Sequence, residues 1–490
     1  MQNTDDGKRQ PNIVIMYADD LGYGDVGCYG GAGIPTPNID RLAAGGLIFT
    51  DGYATAATCT PSRYSLMTGT YPWRNKRAAI LPGDAPLIIS RNETTLPGLL
   101  KEAGYATGVV GKWHLGIGTG DTDWNGELKG TPNDIGFDYS YIMAATNDRV
   151  PCVYLENRRV DGLDPGDPIE VRYDAQSNPF PGVPTGRDNP ELLKMRYSHG
   201  HDCTIINGVS RIGYMRGGTS ALWTDEDMAD VFAGKATGFV KDHQDDPFFL
   251  YYAFHEPHVP RLPNARFAGT TGLGPRGDAI AEMDWCVGQM LDTLDRLGLA
   301  ENTIVIFSSD NGPVLDDGYE DMAAELIGNH HPAGPLRGGK YSRLDGGTRV
   351  PFILRWPGTV GAGESSALVC QSDFCASFAA LTGVELSADG CVDSENVLDA
   401  LLGRSPQGRH ELVTEGTQNK TLLRIDNWVV LPALDGPRYH GGTGNDFGNC
   451  HWDQLYDLRQ DISQRRNLAR KMPEKVVELK QRLDEIVNAP

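Results

Sequence analysis

The chain has 490 residues, 40 % of them hydrophobic and 22 % charged, which excludes a disordered protein and exceeds what one hydrophobic core usually organises. Its formal net charge of −21 opposes binding to nucleic acid or anionic membranes. No apolar run approaches the ~18 residues of a membrane span, and nine scattered cysteines without CxxC spacing indicate neither a disulfide framework nor a zinc module.

In chain order, the polar start "MQNTDDGKRQ" has no leader-peptide character. Asn92 and Asn419 each open a glycosylation triplet. The first apolar run, "NIVIMY", leads into Asp19 and Asp20, and "NIDRLAAGG" reads as a helix. "TCTPSRYSLMTG" then places Cys59 at the start of a short predicted helix. The helix "TTLPGLLKEAG" precedes "YATGVVGKWH", which delivers Lys112 and His114. "PFFLYYAF" runs into His255. The helix "AIAEMDWCVGQMLDTLDRLGL" precedes "NTIVIFSS", which runs into Asp310 and Asn311. Continuous apolar runs alternating with helices predict an α/β fold, with a large, mostly parallel sheet sandwiched by helices. Ligands bind beyond the carboxyl ends of such strands, so four strand ends converge on one expected site. Residues 147–225, rich in Gly, Pro, Asp and Asn, are expected to be a loop-rich insertion framing a substrate pocket. "ELVTEG", "KTLLRIDNWVVLPAL" and "DQLYDL" predict short antiparallel strands. A last helix starts at Pro473, with Val476, Leu479, Leu483 and Ile486 on one face. The expected organisation is a catalytic domain over 1–405 and an α+β subdomain over 406–490.

Asp19, Asp20, Asp310 and Asn311 offer only oxygen donors, which suit Ca²⁺ or Mg²⁺ better than Zn²⁺. Either pair alone equally suits a turn or a helix cap. Arg63, Lys112, His114, His255 and Lys340 form a basic set able to hold an oxyanion ester and to protonate a leaving oxygen. Cys59 at a helix start favours an anion and so a thiolate. A soft thiolate beside a hard cation is a mismatch that residue chemistry leaves open.

"CTPSR" from Cys59, followed by "LMTG", resembles the C-x-P-x-R signature of the type I, formylglycine-dependent sulfatases of the alkaline phosphatase superfamily. "ADDLGYGD", "GKWHLG", "HEPH", "SSDNGP", "LRGGK…GGTRVP" and "LYDL" resemble the family's other motifs in order. The resemblance implies that Cys59 is oxidised to Cα-formylglycine by a formylglycine-generating or anaerobic sulfatase-maturing enzyme. It implies a Ca²⁺ site of Asp19, Asp20, Asp310, Asn311 and the modified Cys59, with Mg²⁺ as the alternative. The implied roles are His255 as proton donor to the leaving alcohol, His114 as proton acceptor, Lys112 and Lys340 as sulfate ligands, and Arg63 as support for the nucleophile and metal. It further implies a sulfated saccharide of galactose or N-acetylgalactosamine type, exo action, and a periplasmic or secreted location. Arg149, the "SHGHD" cluster (His199, His201, Asp202) and the "NHHPAGP" pair (His330, His331) are candidate sugar contacts. Two rival readings are a phosphonate or phosphodiester hydrolase of the same superfamily and a non-catalytic sulfated-glycan binder.

Overall fold

Asn12–Ala18 is buried along its whole length, as a strand must be at the centre of a sheet covered on both faces. The computed structural model, which describes residues 10–417 and 420–489, builds around this strand, β1, a ten-stranded mixed sheet. Its other members are β2 (Leu47–Phe49), β3 (Ala106–Lys112), β4 (Tyr139–Met143), β5 (Tyr154–Glu156), β6 (Arg159–Val160), β7 (Phe248–Ala253), β8 (Thr303–Ser309), β9 (Phe352–Arg355) and β10 (Gly363–Ser365). The spatial order is β10-β2-β9-β8-β1-β7-β3-β4-β5-β6. The five central strands, β8 to β4, are mutually parallel. All four strands anticipated from apolar runs fall in this group.

The helices form two packing groups. One comprises α1 (Pro37–Ala44), α4 (Met228–Asp242) and α5 (Gly274–Arg296); the other comprises α2 (Cys59–Thr68), α3 (Leu96–Glu102) and α6 (Phe374–Thr382). Thr95 caps α3 by accepting from Gly98 N, with Pro97 in the first turn. All ten residues of α2 are buried, unlike the amphipathic helices of a surface. Residues 147–225 are not loop alone. Their start adds β5 and β6 to the sheet edge, and Glu170–Arg172 pairs with Tyr214–Arg216.

Near the C-terminus, β11 (Glu411–Glu415), β12 (Thr421–Ile425), β13 (Trp428–Leu431) and β14 (Gln454–Asp457) form an antiparallel sheet in chain order. Helix α7 (Pro473–Val487) buries Val476, Leu479 and Leu483 against Leu412, Val413, Leu423, Val430 and Leu455. Each such side chain contributes roughly 1.5–3 kcal/mol. Tyr53, Tyr71, Leu368 and Cys370 belong to the same cluster, so this sheet shares its core with the segment around α2. Its first strand also reaches the segment just before Cys59 directly. Glu415 N donates to Thr55 O at 3.0 Å, and Ala57 N donates to Glu415 O at 2.9 Å. Residues 1–9 and Asn419 of the second glycosylation triplet lie outside the described residues, among which no helix is long and apolar enough to cross a membrane.

Candidate active site

The carboxyl ends of β1, β3, β7 and β8 meet at one edge, as the parallel register requires. β1 contributes Asp19 and Asp20. Asp20 sits at φ 63° and His114, just past β3, at φ 55°. Left-handed backbone at side-chain-bearing residues is costly and clusters where function holds it. Asp20 N donates to Asp310 Oδ1 at 3.1 Å, and Asn311 Nδ2 donates to Asp20 Oδ1 at 2.7 Å. These bonds lock the two acidic loops together.

Three buried cations lie among the acids. Lys112 Nζ is 2.5 Å from Asp19 Oδ2, and Lys340 Nζ is 2.8 Å from Asp20 Oδ2 and 2.7 Å from Asp317 Oδ2. Arg63 reaches Asp310 Oδ2 through Nε at 2.9 Å and Tyr251 Oη through Nη1 at 3.0 Å. Four carboxylates therefore face three fixed positive charges. A divalent cation together with a singly charged sulfate ester would close that balance. Among the described residues, two buried acceptors, Asp19 Oδ1 and Asn311 Oδ1, have no hydrogen-bond donor, a costly state that a bound cation removes. The all-oxygen set of Asp19, Asp20, Asp310 and Asn311 thus fits a hard dication such as Ca²⁺.

Cys59 opens α2 and is 2 % exposed. Its Sγ lies 3.2 Å from His114 Nδ1. His114 Nε2 faces Leu81 O at 3.0 Å; a carbonyl only accepts, so Nε2 carries the proton and Nδ1 is the free base beside Cys59. Burial, with Lys112 and Arg149 nearby, holds His114 below its usual range and neutral. Burial also pushes the Cys59 thiol up, against the pull of Lys112 and Lys340.

Cys59 lies on a cavity of about 190 Å³. His114, Lys340, His258, Arg149, His199 and His201 line it, with Asp148, Asp317, Tyr341, His440, Ile80 and Ile212. Arg149 pairs with Asp148 at 2.7 Å, and His201 Nε2 reaches the same carboxylate at 3.0 Å. His440 enters from the C-terminal region and stacks on Tyr341 with ring centroids 4.8 Å apart. Larger surface grooves exist, such as one of about 720 Å³ near Lys101 and Arg158, but Cys59 is not among their lining residues.

Several sequence expectations change. His255 is not on the cavity; its Nδ1 lies 3.1 Å from Glu256 Oε2 and its ring lies near Phe232. The second histidine of "HEPH", His258, takes the expected place. Its Nδ1 bonds Val259 O at 2.7 Å, which leaves Nε2 on the side of Asp20, 3.9 Å from Oδ2. Of the candidate sugar contacts, Arg149, His199 and His201 reach the cavity. Asp202 instead pairs with Arg187 at 2.6 Å. His330 is buried against Asp25 at 2.8 Å, a carboxylate also held by Arg276. His331 lines a different groove with Gly33 and Leu273. Lys112 and Arg63 sit beneath the cavity, fully buried. His258, Asp317, Tyr341 and His440 were missed; only His258 had a signal, the repeated histidine of its motif.

A sequence model of the Sulfatase family matches residues 11–384. An N-acetylgalactosamine-6-O-sulfatase from Bacteroides thetaiotaomicron is 49 % identical over 479 residues, covering 98 % of this chain and 93 % of the relative. Human arylsulfatase A is 35 % identical over 485 residues, covering 94 % and 83 %. A solved sulfatase structure described with the metabolism of multiple glycosaminoglycans by Bacteroides thetaiotaomicron superposes with a TM-score of 0.96, at 49 % identity, over 98 % of this chain and 100 % of that one.

Proposed function

The chain belongs to the sulfatase family and is a sulfuric ester hydrolase, and we propose that it releases sulfate from the 6-O-sulfate of a terminal N-acetylgalactosamine-type sugar. The observation that carries this reading is the small cavity with Cys59, Lys340, His114 and His258 on it and Arg149, His199 and His201 beside them. At about 190 Å³ it is below the ~300–1,000 Å³ of pockets for drug-sized ligands, which favours one sugar unit and so exo action. The 49 % identical relative bears the name of the same sugar sulfate.

Cys59 Sγ stands where formylglycine would place oxygen. Formylglycine at this position would supply an oxygen nucleophile, and a dication held by Asp19, Asp20, Asp310 and Asn311 would draw negative charge from a sulfate oxygen. The chain's own residues do the rest. Lys340 binds a sulfate oxygen from the cavity wall. His114 Nδ1, free of any backbone partner, accepts a proton from the group at position 59. His258, its Nδ1–H committed to Val259 O, takes a second proton from solvent at Nε2 when the sulfate anion is bound and gives it to the departing sugar oxygen, and Lys340 shares its side of the cavity. Arg63 and Lys112, beneath, hold the acidic loops at fixed distances, so charge is stabilised without reorganisation. Arg149, oriented by Asp148, is placed to bond sugar hydroxyls. This reading requires a maturing enzyme acting on Cys59.

The test is sulfate release, measured by ion chromatography, from GalNAc-6-sulfate, GalNAc-4-sulfate, galactose-6-sulfate, GlcNAc-6-sulfate and an internally sulfated oligosaccharide. An aryl phosphate is run alongside, with mass analysis of the Cys59 peptide. Fastest release from terminal GalNAc-6-sulfate is expected. Faster turnover of the aryl phosphate, or release from internal units alone, would refute the reading.

A further inference from the structure

Gly69 ends α2 in the left-handed conformation, at φ 60°. Besides this backbone demand, it has three crowded neighbours, Ser394 and two cysteines. A Cβ added there would lie 2.8 Å from Cβ of Cys391 and 3.1 Å from Cβ of Cys375. The two cysteines therefore meet behind the end of the nucleophile helix, with Cβ atoms less than about 6 Å apart. The neighbouring Cys391 thiol, together with burial, pushes the Cys375 thiol well up. A disulfide spans Cβ atoms about 3.5–4.5 Å apart, a separation that lies within this bound and that the loop carrying Cys391 reaches by rotating the side chains and, from the upper end of the bound, by a small backbone shift. Both are buried. Cys375 lies in the first turn of α6, and Cys391 lies sixteen residues later in the following loop.

That loop is already a bridge. Asp393 N donates to Gly69 O at 3.1 Å. Asp393 Oδ2 accepts from Tyr71 N at 2.7 Å and from Arg74 Nε at 2.8 Å. Ser394 Oγ accepts from Ala376 N at 2.9 Å, and Glu395 N donates to Asp373 Oδ1 at 2.9 Å. One short segment thus joins the end of α2 to the start of α6, and the cysteine pair sits at their junction.

We propose that Cys375 and Cys391 form a disulfide that locks residues 391–395 to α6 behind the nucleophile helix. Two S–H bonds break and one S–S bond forms. The two electrons and the two protons pass to an external disulfide, that of glutathione or of a thiol–disulfide oxidoreductase, whose S–S bond breaks to give two thiols. Cys59 takes no part, since its Sγ faces His114 and not a second sulfur. The crosslink closes a short loop and constrains the unfolded chain, so oxidation raises the unfolding temperature.

The full-length protein is incubated folded with glutathione disulfide, and separately refolded in a glutathione redox buffer. Both samples are then unfolded in excess alkylating agent and digested with a protease that cleaves before Asp. Cleavage at Asp373, Asp389 and Asp393 separates the two cysteines into peptides 373–388 and 389–392. The expected product is one linked pair, lighter by two hydrogens than the separate peptides, and absent from Cys391→Ser. The oxidised parent should unfold a few degrees above the reduced parent, with no such redox-dependent shift in Cys391→Ser or Cys375→Ala. Complete alkylation of both peptides in both samples would overturn the proposal, as would linkage of either cysteine mainly to another partner.

Discussion

Replacing His258 by glutamine tests which histidine of "HEPH" serves the leaving group. Glutamine preserves the approximate size and a bond to Val259 O but cannot donate a proton as an acid. His258 is 4 % exposed and its Nδ1 is fixed at 2.7 Å to Val259 O, so its other nitrogen is held in place before substrate arrives. A positioned general acid contributes about 10²–10⁴-fold, or roughly 3–5 kcal/mol in the barrier. Burial, with Lys340 and Lys112 close by, keeps the free imidazole neutral, and a sulfate anion bound beside it supplies the field that favours its protonated form. The loss should therefore depend on the leaving group. For a sugar sulfate, kcat/KM is expected to fall about 10²–10⁴-fold. For 4-nitrophenyl sulfate, whose phenolate leaves without protonation, the fall should be about tenfold or less. His255→Gln, which alters a buried contact with Glu256 away from the cavity, should change both rates alike and slightly. Steady-state kinetics on the two substrates decides the matter. Equal losses on both substrates in His258→Gln, or a leaving-group-dependent loss confined to His255→Gln, would refute the assignment.

Arg149→Ala removes a charged contact to the sugar while leaving Cys59, His114 and Lys340 in place. A charge-assisted bond of roughly 1.5–3 kcal/mol corresponds to about 10–150-fold in kcat/KM for the sugar sulfate, with the aryl sulfate changed far less; parallel losses would assign Arg149 to the sulfate itself. Glu415→Gln tests a buried acid whose side chain is not on the cavity and whose backbone pairs with the segment before Cys59. Glu415 is 1 % exposed, its Oε2 has no hydrogen-bond partner among the described residues, and burial raises its pKa to about 8. Unfolded, the group titrates near ~4.3, so the folded state holds an extra proton between these values and loses stability as pH rises through that window. At roughly 1.4 kcal/mol per unit, the glutamine variant should match the parent at pH 4 and exceed it by several kcal/mol near pH 8.5 in denaturant unfolding. A gap independent of pH would count against the raised value.

The strands that carry the site were legible because burial on both faces demands continuous apolar runs, and "NIVIMY" and "NTIVIFSS" have no other ready explanation. The acids beyond them were legible because chain direction fixes which end of a parallel strand meets the ligand. Which histidine of "HEPH" faces inward depends on the backbone path after β7, and three residues of sequence do not encode that path. His330 looked like a sugar ligand because its true partner, Asp25, lies some 300 positions away and forms no local pattern. Asp317, Tyr341 and His440 carry no motif of their own. Their place follows from Lys340 and from a C-terminal segment that folds back over it.

The pairing of Glu415 with Thr55 and Ala57 has a consequence in time. The backbone just before Cys59 obtains its last neighbours from a strand synthesised some 350 residues later. At about 5–20 residues per second, Cys59 exists for roughly 20–70 s before the chain that completes its surroundings has been made. A side chain that ends 2 % exposed passes through that interval without them, and any enzyme that must reach it works against the clock of translation.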